Sequence, residues 1–251
     1  MKVKQSLLII ILIITSLAGF SQKNDSIKIM HHFSGMATFT NNGISLIPSF
    51  SLGKPAALLL MSFGGRRVSF DNDIRFALDG KPWNFLFWAR YKLFTQGRFR
   101  MNTGANLSLN FRTASYQFNG ASFENIIVRR YVAAELAPNY FVAKNISVGS
   151  YYLYSRGVDQ GTVKNTHFIT VNASFSRISI SNKIYLRVNP QAYYLFQDGK
   201  EGYYFNTFFS LSKTNFPLSL SSIINKAIRS RIPGSKDFVW NVSLLYSLNH
   251  N

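Results

Sequence analysis

Between Arg98 and Arg112 the chain alternates without a break. Odd positions read Phe99, Met101, Thr103, Ala105, Leu107, Leu109 and Phe111, and even positions read Arg98, Arg100, Asn102, Gly104, Asn106, Ser108, Asn110 and Arg112. Successive side chains of a strand point to opposite faces, so this period of two makes one apolar face and one polar, cationic face. A helical face would need spacings of three and four. Val68, Phe70, Ile74, Phe76 and Leu78 alternate with Arg67, Ser69, Asp71, Asp73, Arg75 and Ala77 in the same way, and Phe238–Leu248 repeats the pattern near the C-terminus.

The N-terminus reads differently. Lys2 and Lys4 precede an apolar run, Leu7–Ile14, that ends in the small residues Ser16, Ala18, Gly19 and Ser21. That is a secretory signal peptide over 1–21, with cleavage expected before Gln22. The run is shorter than the roughly 20 apolar residues a membrane helix needs, and no later run is long enough. An exported chain of this kind enters a membrane only as strands.

Turn residues divide the rest into twelve expected strands: 44–52, 55–63, 66–78, 82–94, 98–112, 125–142, 146–157, 166–180, 184–197, 203–213, 217–229 and 237–249. Connections alternate between tight (95–97, 143–145, 181–183) and longer (113–124, 158–165, 230–236), as in transmembrane barrels with short periplasmic turns and long outer loops. The fold class expected is all-β, a transmembrane antiparallel β-barrel of about twelve strands over 44–251, with both termini in the periplasm. Phe33–Thr40 also has strand character, but a thirteenth strand breaks the even count, so 22–43 reads as a periplasmic or lumen-entering segment. Pro138 and Pro190 fall inside expected strands, where proline marks a bulge or an edge. A periplasmic sandwich or lipocalin-like barrel shows the same alternation. Against it, the polar faces hold Asn, Ser, Gly and Arg with little Lys or Glu, which suits a wet lumen. Aromatics at strand ends (Trp83, Tyr91, Tyr152, Tyr154, Tyr194, Phe196, Tyr203, Trp240, Tyr246) fit girdles at the membrane interfaces.

The block GKPAALLLMSFGGRRVSFDNDIRFALDGKPWNFLFWARYKL, from Gly53 through Leu93, resembles a stretch of uncharacterised outer-membrane β-barrel proteins of the Bacteroidota. The Ser-Gln junction after the signal resembles secreted proteins of that phylum. The resemblance implies fold and location, and carries no activity onto any residue.

Function is then sought in the lumen. The chain has 28 Lys+Arg against 10 Asp+Glu and a net charge of +18. On the alternation, inward positions include Arg67, Arg75, Arg90, Lys92, Arg98, Arg100, Arg112, Arg129 and Arg187, with Asp71, Asp73 and Glu135 as ion-pair partners. A low-dielectric wall of one sign concentrates counter-ions, and guanidinium pairs with carboxylate or phosphate at two points. The expected function is a narrow anion-preferring channel or solute-binding pore, which resembles the arginine-lined logic of small twelve-stranded acidic-sugar channels, an analogy of fold that no motif supports. The alternative is a closed structural or assembly barrel whose charges pair only with one another.

An outer-membrane hydrolase is the remote alternative, because a lipid hydrolase needs a histidine beside a serine. The chain has four histidines, and His167 stands with no serine two residues away, so no enzyme is expected. His31-His32 has no third ligand nearby, and the chain lacks cysteine, so neither a metal nor any other cofactor is expected. Nucleic-acid binding is not expected either, for want of a basic helix or zinc spacing. Expected partners are outer-membrane lipid and lipopolysaccharide, where cations near turns (Arg66, Lys81, Lys200, Arg229, Arg231, Lys236) anchor the barrel at the interface or, on the outer side, hold lipopolysaccharide phosphates, and small anionic solutes.

Overall fold

The computed structural model describes residues 32–118 and 121–250. The expected signal peptide, its cleavage site and His31 lie outside them. Twelve strands follow in chain order: β1 (His32–Thr40), β2 (Ala56–Gly64), β3 (Val68–Ala77), β4 (Pro82–Phe94), β5 (Phe99–Phe118), β6 (Ala121–Ala143), β7 (Ile146–Gly157), β8 (Asn165–Ser179), β9 (Ile184–Gln197), β10 (Lys200–Lys213), β11 (Leu218–Ser230) and β12 (Phe238–His250). Each pairs antiparallel with its chain neighbours, and β1 closes on β12, so no edge is left unpaired.

The alternation decides which side faces what. Phe33, Phe39, Leu59, Phe63, Phe70, Leu107, Val132, Leu220 and Leu244 all point outward, each 41–56% exposed. Inside, Asn84, Asn106, Asn110, Asn206, Asn225 and Asn241 are buried. An apolar exterior around a polar interior inverts a water-soluble fold and is what a bilayer solvates. Tyr91, Tyr152, Tyr203, Trp240 and Tyr246 lie on the outer face as a girdle requires, but Trp83 is buried, 1% exposed.

Two strand assignments change. Phe33–Thr40 belongs to β1 and pairs on both sides, Phe33 with His250 and Phe63 and Thr40 with Ser243 and Ala56. The expected strand over 44–52 is instead part of the β1–β2 connection, with a single 3-10 turn at Pro48–Phe50. The even count survives because one segment replaces the other. Ile44, Leu46 and Phe50 gave that connection its strand-like apolar pattern, but Pro48 removes a donor, and Gly53 takes a positive φ of 76° that turns the chain into β2. The expected 113–124 loop is also mostly strand: β5 and β6 continue past the barrel body, and Tyr116 stacks on Phe123 at 5.7 Å.

Both interior prolines are accommodated by broken ladders. Pro138 is paired with Met101 of β5 but has no partner on β7, and Pro190 is paired with Thr207 of β10 but has none on β8. The missing N–H therefore costs no ladder bond on the broken side.

Candidate functional site

The lumen is divided along its length by the β1–β2 connection, which folds inward from the end opposite the termini. Ile47 is buried in a cluster with Phe168, Tyr193, Leu195, Tyr204, Ala227 and Ile232, and Leu46 and Phe50 pack against it. Five barrel side chains hold the segment through backbone carbonyls or a ring, among them Asn241, whose Nδ2 donates to Asn42 O at 3.2 Å. Trp83 Nε1 donates to Phe50 O at 2.8 Å, Tyr193 OH donates to Leu46 O at 3.1 Å, Arg112 donates to Ser49 O and Ser51 O, and Tyr131 packs edge-on against Phe50 at 4.9 Å. This explains the buried Trp83: its ring is a lumen clamp and does not sit in the girdle. We call residues 41–55 the plug.

Below the plug lies a charged waist. Arg90 of β4 and Glu135 of β6 are separated by β5, where Gly104 is in register with both. Because Gly104 lacks a Cβ, the two side chains meet over it, with Arg90 Nε 2.6 Å from Glu135 Oε1. An added Cβ would stand 3.0 Å from both Arg90 Cγ and Glu135 Oε1. Arg90 also donates to Asp71 at 2.7 Å, and its guanidinium lies 4.6 Å over the Trp88 ring. Tyr151 OH donates to Glu135 Oε2 at 2.8 Å. Arg75 pairs with Asp73 two residues away on the same face. The three lumen carboxylates among the described residues, Asp71, Asp73 and Glu135, are thus occupied by two arginines.

The remaining expected site residues divide by position. Arg112 and Arg129 face the lumen beside the plug, and neither has a carboxylate partner among the described residues. Lys92, Arg100 and Arg187 carry lumen parity at the terminus end, where Arg100 lies 4.5 Å over the Phe141 ring. Two expectations fail. Arg67 and Arg98 lie in tight turns, are exposed, and belong to the rim. Arg67 donates to the outward Tyr91 hydroxyl at 3.1 Å, and Arg98 O accepts from Phe141 N at 2.8 Å. Alternation assigns a face only within a strand, and both residues were read one step past its end.

Sequence reasoning missed Arg177. The ladder between β8 and β9 shifts between Phe175 and Ile178, and that irregularity brings Arg177 to 5.1 Å over the ring of Tyr185 at the same mouth. Lys92, Arg100, Arg177 and Arg187 thus form a cationic mouth at the terminus end that has no carboxylate partner among the described residues. The five tight turns there add Arg66, Arg67, Arg98, Lys144 and Lys183 without one carboxylate.

The opposite rim is mixed. Lys54 donates to Asp79 at 2.6 Å and holds its carboxyl below the ordinary range, helped by the Lys81 backbone N–H. Hydrogen bonding to Glu124 at 2.5 Å raises the Lys81 ammonium. Arg130 binds Asp159 through side chain and backbone N–H at 2.5 and 2.6 Å and lowers that carboxyl in turn.

His32, read as outside the strands, begins β1. Its Nε2 lies 3.2 Å from Ser62 Oγ, which itself donates to Asp71 Oδ1 at 2.5 Å. Here the serine stands between imidazole and carboxylate, whereas a hydrolytic triad needs the carboxylate on the far side of the imidazole. His167 faces outward among Tyr152, Tyr154 and Phe196, with its Nδ1 2.9 Å from Tyr152 OH.

No family profile matches the sequence. No curated protein sequence matches it. Solved structures do resemble the fold. The KdgM porin, also solved in complex with disordered oligogalacturonate, superposes with a TM-score of 0.52 at 13% identity, covering 86% of this chain and 99% of that one. LpxR from Salmonella typhimurium gives 0.49 at 9% identity over 86% of this chain and 100% of its own, and OmpT, an outer membrane protein of Vibrio cholerae, gives 0.43 at 8% over 88% and 100%. The protein has the fold of the outer-membrane β-barrels, a closed transmembrane barrel of twelve antiparallel strands.

Proposed function

We propose that the protein is a narrow, anion-preferring channel of the outer membrane, with the plug as its constriction. One observation carries this reading. Six lumen-facing cations, Lys92, Arg100, Arg112, Arg129, Arg177 and Arg187, have no carboxylate partner among the described residues, and they flank a waist whose two arginines and three carboxylates pair with one another and leave a single negative charge. A solute entering from either end meets a positive field inside a low-dielectric wall, which favours anions and repels cations. The oligogalacturonate held by the KdgM porin makes a small acidic saccharide a reasonable member of the solute class. In this reading residues 1–21 direct export, the termini and tight turns face the periplasm, and the longer connections face outward toward lipopolysaccharide. The resemblance of Gly53–Leu93 to barrels of the Bacteroidota fits the same placement. No residue is assigned a catalytic role.

The plug supports a second reading, a closed barrel that serves the envelope without transport, because its apolar packing fills the lumen. The reversal potential of the refolded barrel in a planar bilayer, under a salt gradient, separates the two. Discrete openings with anion preference support the channel. A correctly folded barrel that stays silent, or conducts with cation preference, overturns it.

A further inference from the structure

Between the plug and the barrel wall lies a cavity of about 330 Å³ at the loop end, lined by Arg112, Lys236, Ser49, Ser51, Tyr204 and Asn225 among others. Three features set it apart from a packing gap. Arg112 and Lys236 both line it, and neither joins a salt bridge among the described residues. Arg129, diagonal to Arg112 across the β5–β6 ladder, adds positive charge from the lumen side. Ser49, whose backbone carbonyl Arg112 holds, brings a hydroxyl that is buried and has no hydrogen-bond partner among the described residues, a donor whose burial costs stability.

We propose that this cavity is a binding site for a small phosphorylated polyol, no larger than a monosaccharide phosphate. Arg112 and Lys236 hold the phosphate, and the serine, asparagine and tyrosine groups meet the hydroxyls. A volume near 300 Å³ is at the small end of ligand pockets, and two cations with neutral hydroxyl and amide groups suit an anion that also carries hydroxyls. Binding is coupled to the plug. Arg112 now donates only to the Ser49 and Ser51 carbonyls, and a hydrogen bond to an ionised acceptor is roughly twice as strong as one to a neutral carbonyl. A bound phosphate therefore draws Arg112 off the plug. Trp83 reports the movement, because its indole N–H holds Phe50 O and its ring lies against Gly43. The site is independent of the channel reading: a barrel silent in bilayers overturns that reading and leaves binding here intact.

The test uses the refolded full chain in detergent with Trp88→Phe and Trp240→Phe, which leaves Trp83 as the single tryptophan of the three. Its emission is followed during titration with glucose 6-phosphate and, at matched ionic strength, with glucose. The expected result is a saturable change with glucose 6-phosphate that glucose does not produce. Arg112→Gln and Lys236→Gln should each weaken it at least about tenfold. Lys236 lies in an exposed loop, so its variant keeps the test valid even if Arg112→Gln loosens the plug. No saturable response, an equal response to glucose, or an affinity retained in Lys236→Gln would overturn the proposal.

Discussion

The waist predicts an asymmetry between two substitutions of one ion pair. Glu135 has a side chain only 3% exposed and draws on both Arg90 and Tyr151, whereas Arg90 is 34% exposed and serves Glu135 and Asp71 together. Arg90→Met removes the cation from both carboxylates at once. Stranding a buried partner costs about 3–5 kcal/mol, and the lower end, about 3 kcal/mol, applies here because Asp71 is partly exposed and keeps the Ser62 hydroxyl. Glu135→Gln keeps the volume, leaves Arg90 on Asp71, and still offers an amide oxygen to Tyr151, so about 1–2 kcal/mol is expected. Combining them leaves one buried carboxylate fewer than Arg90→Met alone, so the double variant should recover about 1 kcal/mol or more against the sum of the singles. Urea titration of the barrel folded into phospholipid vesicles, followed by tryptophan emission, measures all four corners of the cycle. Equal costs for the two single variants, or strict additivity, would refute the claim that one arginine serves two carboxylates.

Further outcomes follow from the same geometry. Leu107 points outward at 46% exposure, and Leu107→Arg should cost about 2–4 kcal/mol if its face meets the bilayer core; a loss under about 0.5 kcal/mol in the same urea titration contradicts that facing. Asp159 has its folded-state pKa lowered, first by the hydrogen bond from Arg130, so the contribution is present above the unfolded value and lost as pH falls through the folded one. Carboxyl NMR should therefore place its midpoint below 3.8 and move it upward in Arg130→Gln, whereas a midpoint at or above 3.8 in the parent would show that the pair does not persist. Replacing 43–53 with a short Gly-Ser linker should raise single-channel conductance several-fold, since it removes Ile47 and Phe50 from the lumen; conductance no greater than the parent's would mean the plug does not obstruct the path.

How far the sequence reached depended on whether a feature was local. Alternation placed eleven of the twelve strands and the lumen face of Arg75, Arg90, Arg100, Arg112, Arg129 and Arg187, because a period of two is written in consecutive residues. The Asp73–Arg75 pair was legible for the same reason, two residues apart on one face. Register was not. That Arg90 meets Glu135 depends on Gly104 lying between them on β5, and only strand pairing puts those three in line. The plug escaped notice because a segment that buries Ile47 and Phe50 inside a barrel has the same apolar pattern as a strand that shows them to lipid. Its signals were the Pro48 and Gly53 punctuation and Trp83, which follows Pro82 at a strand start. Arg177 was hidden by a ladder irregularity, which shifts facing without leaving a mark in composition.

The central claim is that unpaired lumen cations set the preference for anions. Arg100 and Arg187 both belong to the cationic mouth and pair with no carboxylate among the described residues, so their joint reversal to glutamate changes the field with little demand on the fold. The decisive measurement is the reversal potential of the Arg100→Glu, Arg187→Glu barrel beside the parent, in planar bilayers under the same salt gradient. The account predicts anion preference in the parent and a shift toward cations in the variant. Identical reversal potentials from two conducting, correctly folded barrels would contradict it.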